Sequence, residues 1–282
     1  SGTDMAPATV QRYETSLKHT RDFVWETYHK KDVLLDEVSR QFIEDYEFWL
    51  KTEKKCCHNT ATKYLKNFKK IIRIALAKGW MKNDPFLEIR FSLDKVEPDF
   101  LEDSEIQKLI SKEIDIPRLS QVRDIFVFCC FTGLAFSDIH GLRKEHIVED
   151  SNGVRWIRKG RQKTKIMCNI PLIEIPLKIL EKYSTNEYCK KYGVLFPVLC
   201  NQKMNAYLKE LADICGIKKT LTTHVGRHTF ATFALANGVS IESVAKMLGH
   251  TNVQMTRHYA RVLDRTVIRE MSQIKMDLHF SM

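Results

Sequence analysis

Histidine, arginine, histidine and tyrosine follow one another near the end of this 282-residue chain, at spacings that suit chemistry on a phosphodiester. His224 precedes Arg227 by three residues, His250 comes 23 residues after Arg227, and Tyr259 comes nine residues after His250. Tyr259 offers a phenol that can attack phosphorus, and Arg227 offers a fork of donors for the phosphate oxygens. His224 falls on the same helical face as Arg227, and His250 follows a glycine at a predicted helix end. The series therefore indicates strand cleavage through a covalent phosphotyrosine.

A fifth candidate, Lys163, lies in a polar turn between two predicted strands, where a mobile ammonium can protonate the leaving 5′ oxygen. A covalent intermediate keeps the energy of the broken bond, so we expect no high-energy cofactor. The sequence contains neither a zinc-ligand pattern nor a glycine-rich phosphate loop, and we predict no metal. Each of these side chains taken singly has an ordinary explanation, such as a half-buried tyrosine or a helix cap. Their order and their surroundings favour the catalytic interpretation.

The elements that must position these residues are predicted to be mostly helical. Hydrophobic periodicity and terminal glycines predict helices over 223–237, 240–249 and 252–259. Between residues 146 and 171 the period changes to that of a strand, and Val154–Arg158 and Ile166–Ile170 are predicted to form a small hairpin with a basic turn. The fold class is therefore mainly α with a small antiparallel β-sheet.

The N-terminal region combines predicted helices with an uneven charge distribution. The chain carries a net charge of +10, but residues 1–50 have 6 Lys/Arg against 10 Asp/Glu, whereas residues 51–82 have 10 against one. A helix predicted over 59–78 places four cations on one face, without any acid among them. These residues are Lys63, Lys66, Lys70 and Arg73. A solvated polar face is the plain alternative, but the stripe favours the phosphates of double-stranded DNA as its partner.

The charge distribution and a segment without hydrophobic periodicity predict two domains joined by a linker. Residues 5–90 form the helical DNA-binding domain, 91–103 have no period and form the linker, and 104–282 form the catalytic domain. Ser104 and Gln107 match a capping box, which predicts that the catalytic domain starts with a helix at Ser104. No run of apolar residues approaches the length of a membrane span.

Five motifs around the predicted site resemble those of the tyrosine site-specific recombinases of the phage-integrase family, and the nearest likeness is to integrases of Bacteroides-type mobile and conjugative elements. The motifs are Thr132–Leu134 with Ser137–Leu142, Lys163–Ile166 with Ile170–Leu172, Leu221–Thr232, Leu248–Thr251 and Arg257–Val262. The resemblance implies an integrase-like catalytic domain behind a core-binding domain, closing as a C-shaped clamp around DNA. It also implies four protomers on two DNA sites, strand exchange through a Holliday junction, and a last helix, Thr266–Met276, that packs on a neighbouring protomer. DNA-bending accessory proteins and an additional N-terminal arm-binding domain are further expectations.

One residue departs from the family's pattern. Ala135 stands where the family's first motif has an arginine, so one charged contact to the transition state is missing from its usual place. Losing such a donor costs roughly 3–4 kcal/mol. We consider Arg123 and Arg161 as substitute cations. The alternative is an integrase-like protein that binds DNA with impaired or absent cleavage.

Other function classes explain less of the chain. A type IB topoisomerase uses similar chemistry, but the resemblance implies that it carries the first arginine. A structural helical adaptor accounts for the helices but not for the ordered series of His, Arg, His and Tyr. We therefore predict a DNA strand-breaking and rejoining enzyme that acts in the bacterial cytoplasm, on the nucleoid and away from membranes.

Overall fold

The computed structural model describes residues 5–260. The chain divides into two compact units, residues 1–96 and residues 97–282. The predicted exchange helix, Thr266–Met276, lies outside the described residues. No helix within residues 5–260 is long and apolar enough to cross a membrane. Each unit has its own hydrophobic core.

Among its described residues, the first unit contains three α-helices, α1 (Pro7–Tyr28), α2 (Arg40–Thr52) and α3 (His58–Ala77). Its core is aromatic, with Phe23 and Tyr46 fully buried and their ring centroids 4.9 Å apart. Helix α3 buries one apolar face, and its opposite face holds the cationic stripe that periodicity predicted.

The second unit contains nine α-helices among the described residues. They are α4 (Asp103–Ser111), α5 (Pro117–Thr132), α6 (Phe136–His140), α7 (Glu174–Tyr183), α8 (Glu187–Tyr192), α9 (Asn201–Ile214), α10 (Thr223–Ala236), α11 (Ile241–Leu248) and α12 (Gln254–Ala260). Helix α4 begins one residue earlier than the capping pattern predicted, because Glu105, rather than Gln107, accepts the backbone N–H of Glu102 at 2.8 Å.

Helix α5 forms the centre of this unit. Its second half, residues 125–132, is buried on all sides, and 11 of the 16 residues of the helix are buried, so other helices can pack around it. Helix α10 lies close against it at Gly226, where an added Cβ would be 3.2 Å from the Phe126 ring and 3.3 Å from Cys129 Cβ. The glycine therefore permits the close approach that positions the next residue, Arg227.

The sheet is antiparallel, as predicted, and has three strands in the order β1 (Ile147–Glu149), β2 (Arg155–Gly160) and β3 (Met167–Pro171). Strand β1 was not predicted, because three residues are too few to show a period. The turn after β2 is closed by two backbone hydrogen bonds between Arg161 and the far side of the turn. Arg161 N donates to Ile166 O at 2.9 Å, and Lys165 N donates to Arg161 O at 2.8 Å.

Candidate active site around Tyr259

Arg227 is the buried centre of the site. Helix α10 starts at its cap Thr222, whose hydroxyl accepts the N–H of Val225, and carries Arg227 in its second turn. The guanidinium is 3% exposed and donates to the carbonyls of Gly133 at 2.7 Å and Leu248 at 2.6 Å. Both carbonyls belong to helix ends, and Gly133 adopts φ +66°. Two helix termini thus fix the guanidinium.

The charge of Arg227 is not neutralised by a carboxylate. Within residues 5–260 no Asp or Glu oxygen comes within ion-pair distance of its guanidinium. Burial, followed by the nearby charge of Arg161, lowers its pKa to about 10, so it is still a cation at neutral pH. A buried cation whose partners are only neutral carbonyls is suited to hold an anion.

Tyr259 lies on α12, which packs against α10. Its side chain is 7% exposed, and its hydroxyl is 3.0 Å from Nδ1 of His228. Burial raises the pKa of the phenol, while the charges of Arg227 and Arg161 act in the opposite direction. The phenol is therefore protonated at neutral pH, and it would have to lose this proton in order to act as a nucleophile.

His250 is presented by a backbone turn at the end of α11. Gly249 adopts φ +60°, and the N–H of His250 donates to Ala245 O at 3.0 Å. The imidazole Nδ1 lies 2.8 Å from the hydroxyl of the fully buried Thr256, and Nε2 has no hydrogen-bond partner within residues 5–260. Burial, followed by the charges of Arg227 and Arg161, lowers the pKa of His250 to about 4. The ring is neutral at pH 7.

His224 and Lys163 occupy the more exposed side of the site. His224 is exposed on the first turn of α10, and its ring centroid lies 4.2 Å from that of His228. Burial of part of the ring lowers its pKa, and the charges of Arg227, Arg161 and Lys163 add to the effect. Lys163 is exposed in the turn between β2 and β3. The structure therefore brings the five predicted catalytic residues into one cluster, in which the charges of Arg227, Arg161 and Lys163 act on the neighbouring side chains.

The two candidate substitutes for the missing arginine lie in different places. Ala135 is the half-buried cap residue of α6. The Arg161 side chain is 12% exposed, with its Nε 3.6 Å from Asp138 Oδ2 and its Nη1 3.5 Å from Gly249 O. Its Nε is buried without a hydrogen-bond partner among the described residues. Since its charge acts on Arg227, His250 and Tyr259, Arg161 belongs to the cluster.

Arg123 belongs to another network. It donates to Lys112 O at 2.7 Å and to Asp124 Oδ1 at 3.1 Å, and Asp124 also accepts from Lys182 and Tyr183. The charge of Arg123 acts on Tyr183 and not on the residues around Tyr259. The structure does not bring it to the site.

Sequence reasoning did not identify His228, Asp138 and Thr256 as members of the site. His228 follows His224 by four residues, so the helical spacing of the two histidines was an available signal. Asp138 and Thr256 gave none, because their partners, Arg161 and His250, are recognisable only in the folded chain. No group of three or more His, Cys, Asp or Glu side chains that could hold a metal occurs between residues 5 and 260.

The cationic stripe on α3 is exposed, as its periodicity predicted, and belongs to the first unit. Lys66 Nζ lies 5.8 Å from the Phe91 ring, and Lys70 Nζ lies 5.5 Å from the Tyr13 ring. Lys69, which was not singled out, extends the stripe and donates to Phe86 O at 3.3 Å. In the part of the chain that the structure describes, Lys63, Lys66, Lys70 and Arg73 form no ion pair with a carboxylate. Their charges are available to a polyanion.

Comparisons with known proteins cover nearly the whole chain. Residues 1–96 match the phage integrase SAM-like domain, and residues 99–266 match the phage integrase family. A tyrosine recombinase of Pseudothermotoga lettingae is 30% identical, over 91% of this chain and 88% of its own length. The tyrosine recombinase XerD of Shewanella oneidensis is 24% identical, over 97% of this chain and 92% of its own. Lambda integrase, solved as a dimer bound to a COC′ core site, has the same fold, with a TM-score of 0.73, 18% identity, and 92% and 90% of the two chains covered.

Proposed function

Because the chain belongs to the phage integrase family of tyrosine recombinases, we propose that Tyr259 breaks and rejoins strands of double-stranded DNA. The Tyr259 oxygen attacks a backbone phosphorus, the bond from phosphorus to the 5′ oxygen breaks, and a 3′-phosphotyrosine forms. Attack by a free 5′ hydroxyl on that intermediate rejoins the DNA and releases Tyr259. The observation that carries this proposal is the position of the phenol, beside His228 and within the field of two arginines.

The roles of the other residues follow from their charge and hydrogen bonds. Arg227 holds the non-bridging oxygens, because its buried charge has no carboxylate partner in the described chain. His250 is neutral, is oriented by Thr256, and offers Nε2 to the same phosphate. His224 assists there from the first turn of α10. Lys163, exposed on its turn, protonates the leaving 5′ oxygen. No metal or high-energy cofactor takes part in this scheme.

Arg161 supplies the charge that Ala135 lacks. Its Nε is buried with no hydrogen-bond partner in the described chain, and a phosphate oxygen would satisfy it. Asp138 stands 3.6 Å away and orients the side chain without a close hydrogen bond. The competing proposal, DNA binding with impaired cleavage, rests on Ala135 alone.

DNA is also bound by the first unit. Residues 5–90 act as the core-binding domain, 91–103 as the linker and 104–282 as the catalytic domain. The stripe of Lys63, Lys66, Lys70 and Arg73 contacts phosphates, because its charges have no carboxylate partners in the described chain. Lambda integrase, bound to a core site in its solved structure, supports this assignment.

Assembly follows the family's scheme. Four protomers join two DNA sites, residues 266–276 link neighbouring protomers, and DNA-bending accessory proteins assist. The setting is the bacterial cytoplasm and nucleoid, and a mobile element of Bacteroides type is the proposed source.

A nicked suicide duplex carrying the end of the host element tests the function. On such a duplex the cleaved fragment diffuses away and the covalent adduct accumulates. Wild-type protein should give a DNA-shifted band on a denaturing gel, and Tyr259→Phe should give none while binding the duplex normally. Normal binding with no adduct from the wild type would favour the proposal of impaired cleavage.

A further inference from the structure

The mechanism leaves one proton without an acceptor, the proton of the Tyr259 hydroxyl. From the geometry at this hydroxyl we infer that His228 is the general base that receives it. This inference rests on the proposed function and adds a catalytic residue to it. His224, the histidine of the sequence motif, forms no hydrogen bond to the phenol within residues 5–260, and its ring centroid lies 4.2 Å from that of His228.

The hydrogen bond is the first argument. Nδ1 of His228 lies 3.0 Å from the Tyr259 oxygen, and no other hydrogen-bond partner of that oxygen occurs within residues 5–260. The distance is within the range required of a general base. His258, although adjacent in sequence, has its ring centroid 5.9 Å from the Tyr259 ring and makes no hydrogen bond to the hydroxyl.

The protonation state of His228 is the second argument. Burial lowers its pKa to about 4, and the neighbouring His224, His258 and Arg227 add to the effect. The ring is therefore neutral at pH 7 and has a lone pair on one nitrogen. Because the pKa of Tyr259 is raised, the phenol keeps its proton while no DNA is present. A phosphate anion in the site favours the imidazolium, so proton transfer accompanies attack.

Proton transfer and bond exchange balance in both directions. The bond between the Tyr259 oxygen and phosphorus forms while the hydroxyl proton passes to His228 Nδ1. The bond between phosphorus and the 5′ oxygen breaks, and that oxygen takes a proton from the general acid. When the strand is rejoined, the imidazolium returns its proton to the departing phenolate, and His228 is neutral again.

A substitution that keeps the hydrogen bond but removes the base tests this role. In His228→Asn an amide oxygen can still accept from Tyr259 but cannot take up the proton. We expect cleavage of the suicide duplex to slow by about 100-fold or more, within the range for general base catalysis. His29→Asn, at an exposed histidine of the first unit that takes no part in the site, is the control and should cleave at close to the wild-type rate.

Two chemical rescues separate the roles of base and acid. Fluorinated tyrosine at position 259, a more acidic phenol, should restore much of the rate to His228→Asn. A 5′-bridging phosphorothiolate, whose sulfur leaves without a proton, should not restore it. Equal cleavage by His228→Asn and wild type overturns the inference, and so does rescue by the phosphorothiolate alone. If wild-type protein forms no adduct, the proposed function itself fails, and the inference fails with it.

Discussion

Replacing Arg161 by alanine tests whether a residue on the β2–β3 turn supplies the charge missing at Ala135. The substitution removes one cationic grip on the phosphate, whose absence costs roughly 3–4 kcal/mol in the transition state, or about 10²–10³ in rate. Binding should change little, because many other phosphates are still held by the protein's remaining cations. Single-turnover cleavage of the suicide duplex at saturating protein measures the rate without the contribution of affinity.

The same substitution also leaves Asp138 without its cation, and Asp138 is 3% exposed. Stranding one member of a buried pair can destabilise the fold by a few kcal/mol. Arg123→Ala is the matched control, because Arg123 also pairs with a buried aspartate, Asp124, and its own side chain is 15% exposed. Thermal unfolding of both variants shows whether their stability losses are comparable.

Comparison with Arg123→Ala, and restoration of activity by Ala135→Arg, show whether Arg161 acts in cleavage. We expect Arg161→Ala to lose cleavage far beyond any loss in Arg123→Ala. Adding Ala135→Arg to Arg161→Ala should then return part of the rate, because it places a guanidinium at the family's usual position. Equal cleavage by Arg161→Ala and Arg123→Ala, at equal occupancy of the DNA, would refute the reasoning.

Two further predictions concern the backbone beside Arg161 and the stripe on α3. Gly249→Ala should impair cleavage and lower the melting temperature. Alanine is strained at the φ of +60° that Gly249 adopts, and its Cβ would lie only 2.7 Å from Arg161 Cδ and displace that side chain. Gly216→Ala is the control, because it has similar backbone strain (φ +62°) but open space at the added Cβ. It should lower the melting temperature without impairing cleavage, and equal cleavage by the two variants would contradict the prediction. Lys66→Gln with Lys70→Gln should reduce the slope of log affinity against log salt by about 1.8, roughly 0.9 for each phosphate that is no longer neutralised. Lys51→Gln, which removes a lysine paired with a glutamate on α2, should leave that slope nearly unchanged in a fluorescence titration. An equal reduction of the slope by Lys51→Gln would exclude the stripe as a specific phosphate-binding surface.

The sequence predicted most of the elements because their signals are local. Helix α3 shows apolar and cationic faces at helical spacing, and the predicted span 59–78 differs from the observed His58–Ala77 by one residue at each end. Helix α10 is bounded by a threonine cap and an asparagine–glycine pair, which are also local signals. Strand β1 escaped prediction, because its three residues are defined by pairing with β2 and not by their own pattern.

The site was predicted in part for the same reason. The motif residues are few and ordered along the chain, so spacing could identify Arg227, His250 and Tyr259 as candidates. Contacts between distant segments could not be read in this way. His228 meets Tyr259 across 31 residues, and Arg161 meets Gly249 across 88. Both contacts depend on how α10, α11 and the β2–β3 turn pack together.

If Arg161 supplies the charge missing at Ala135, that charge is positioned by other contacts than those of α6. An arginine at position 135 would be anchored by the helix that it caps, whereas Arg161 is positioned by Asp138 and by the close approach of Gly249. Lys163 lies two residues further along the same turn, so the proposed second phosphate contact and the proposed general acid are held by the same turn. Since Arg161 Nε has no hydrogen-bond partner among the described residues, phosphate binding would stabilise the turn in its catalytic position. Cleavage in this protein should therefore depend on the β2–β3 turn more strongly than in relatives that keep the first arginine.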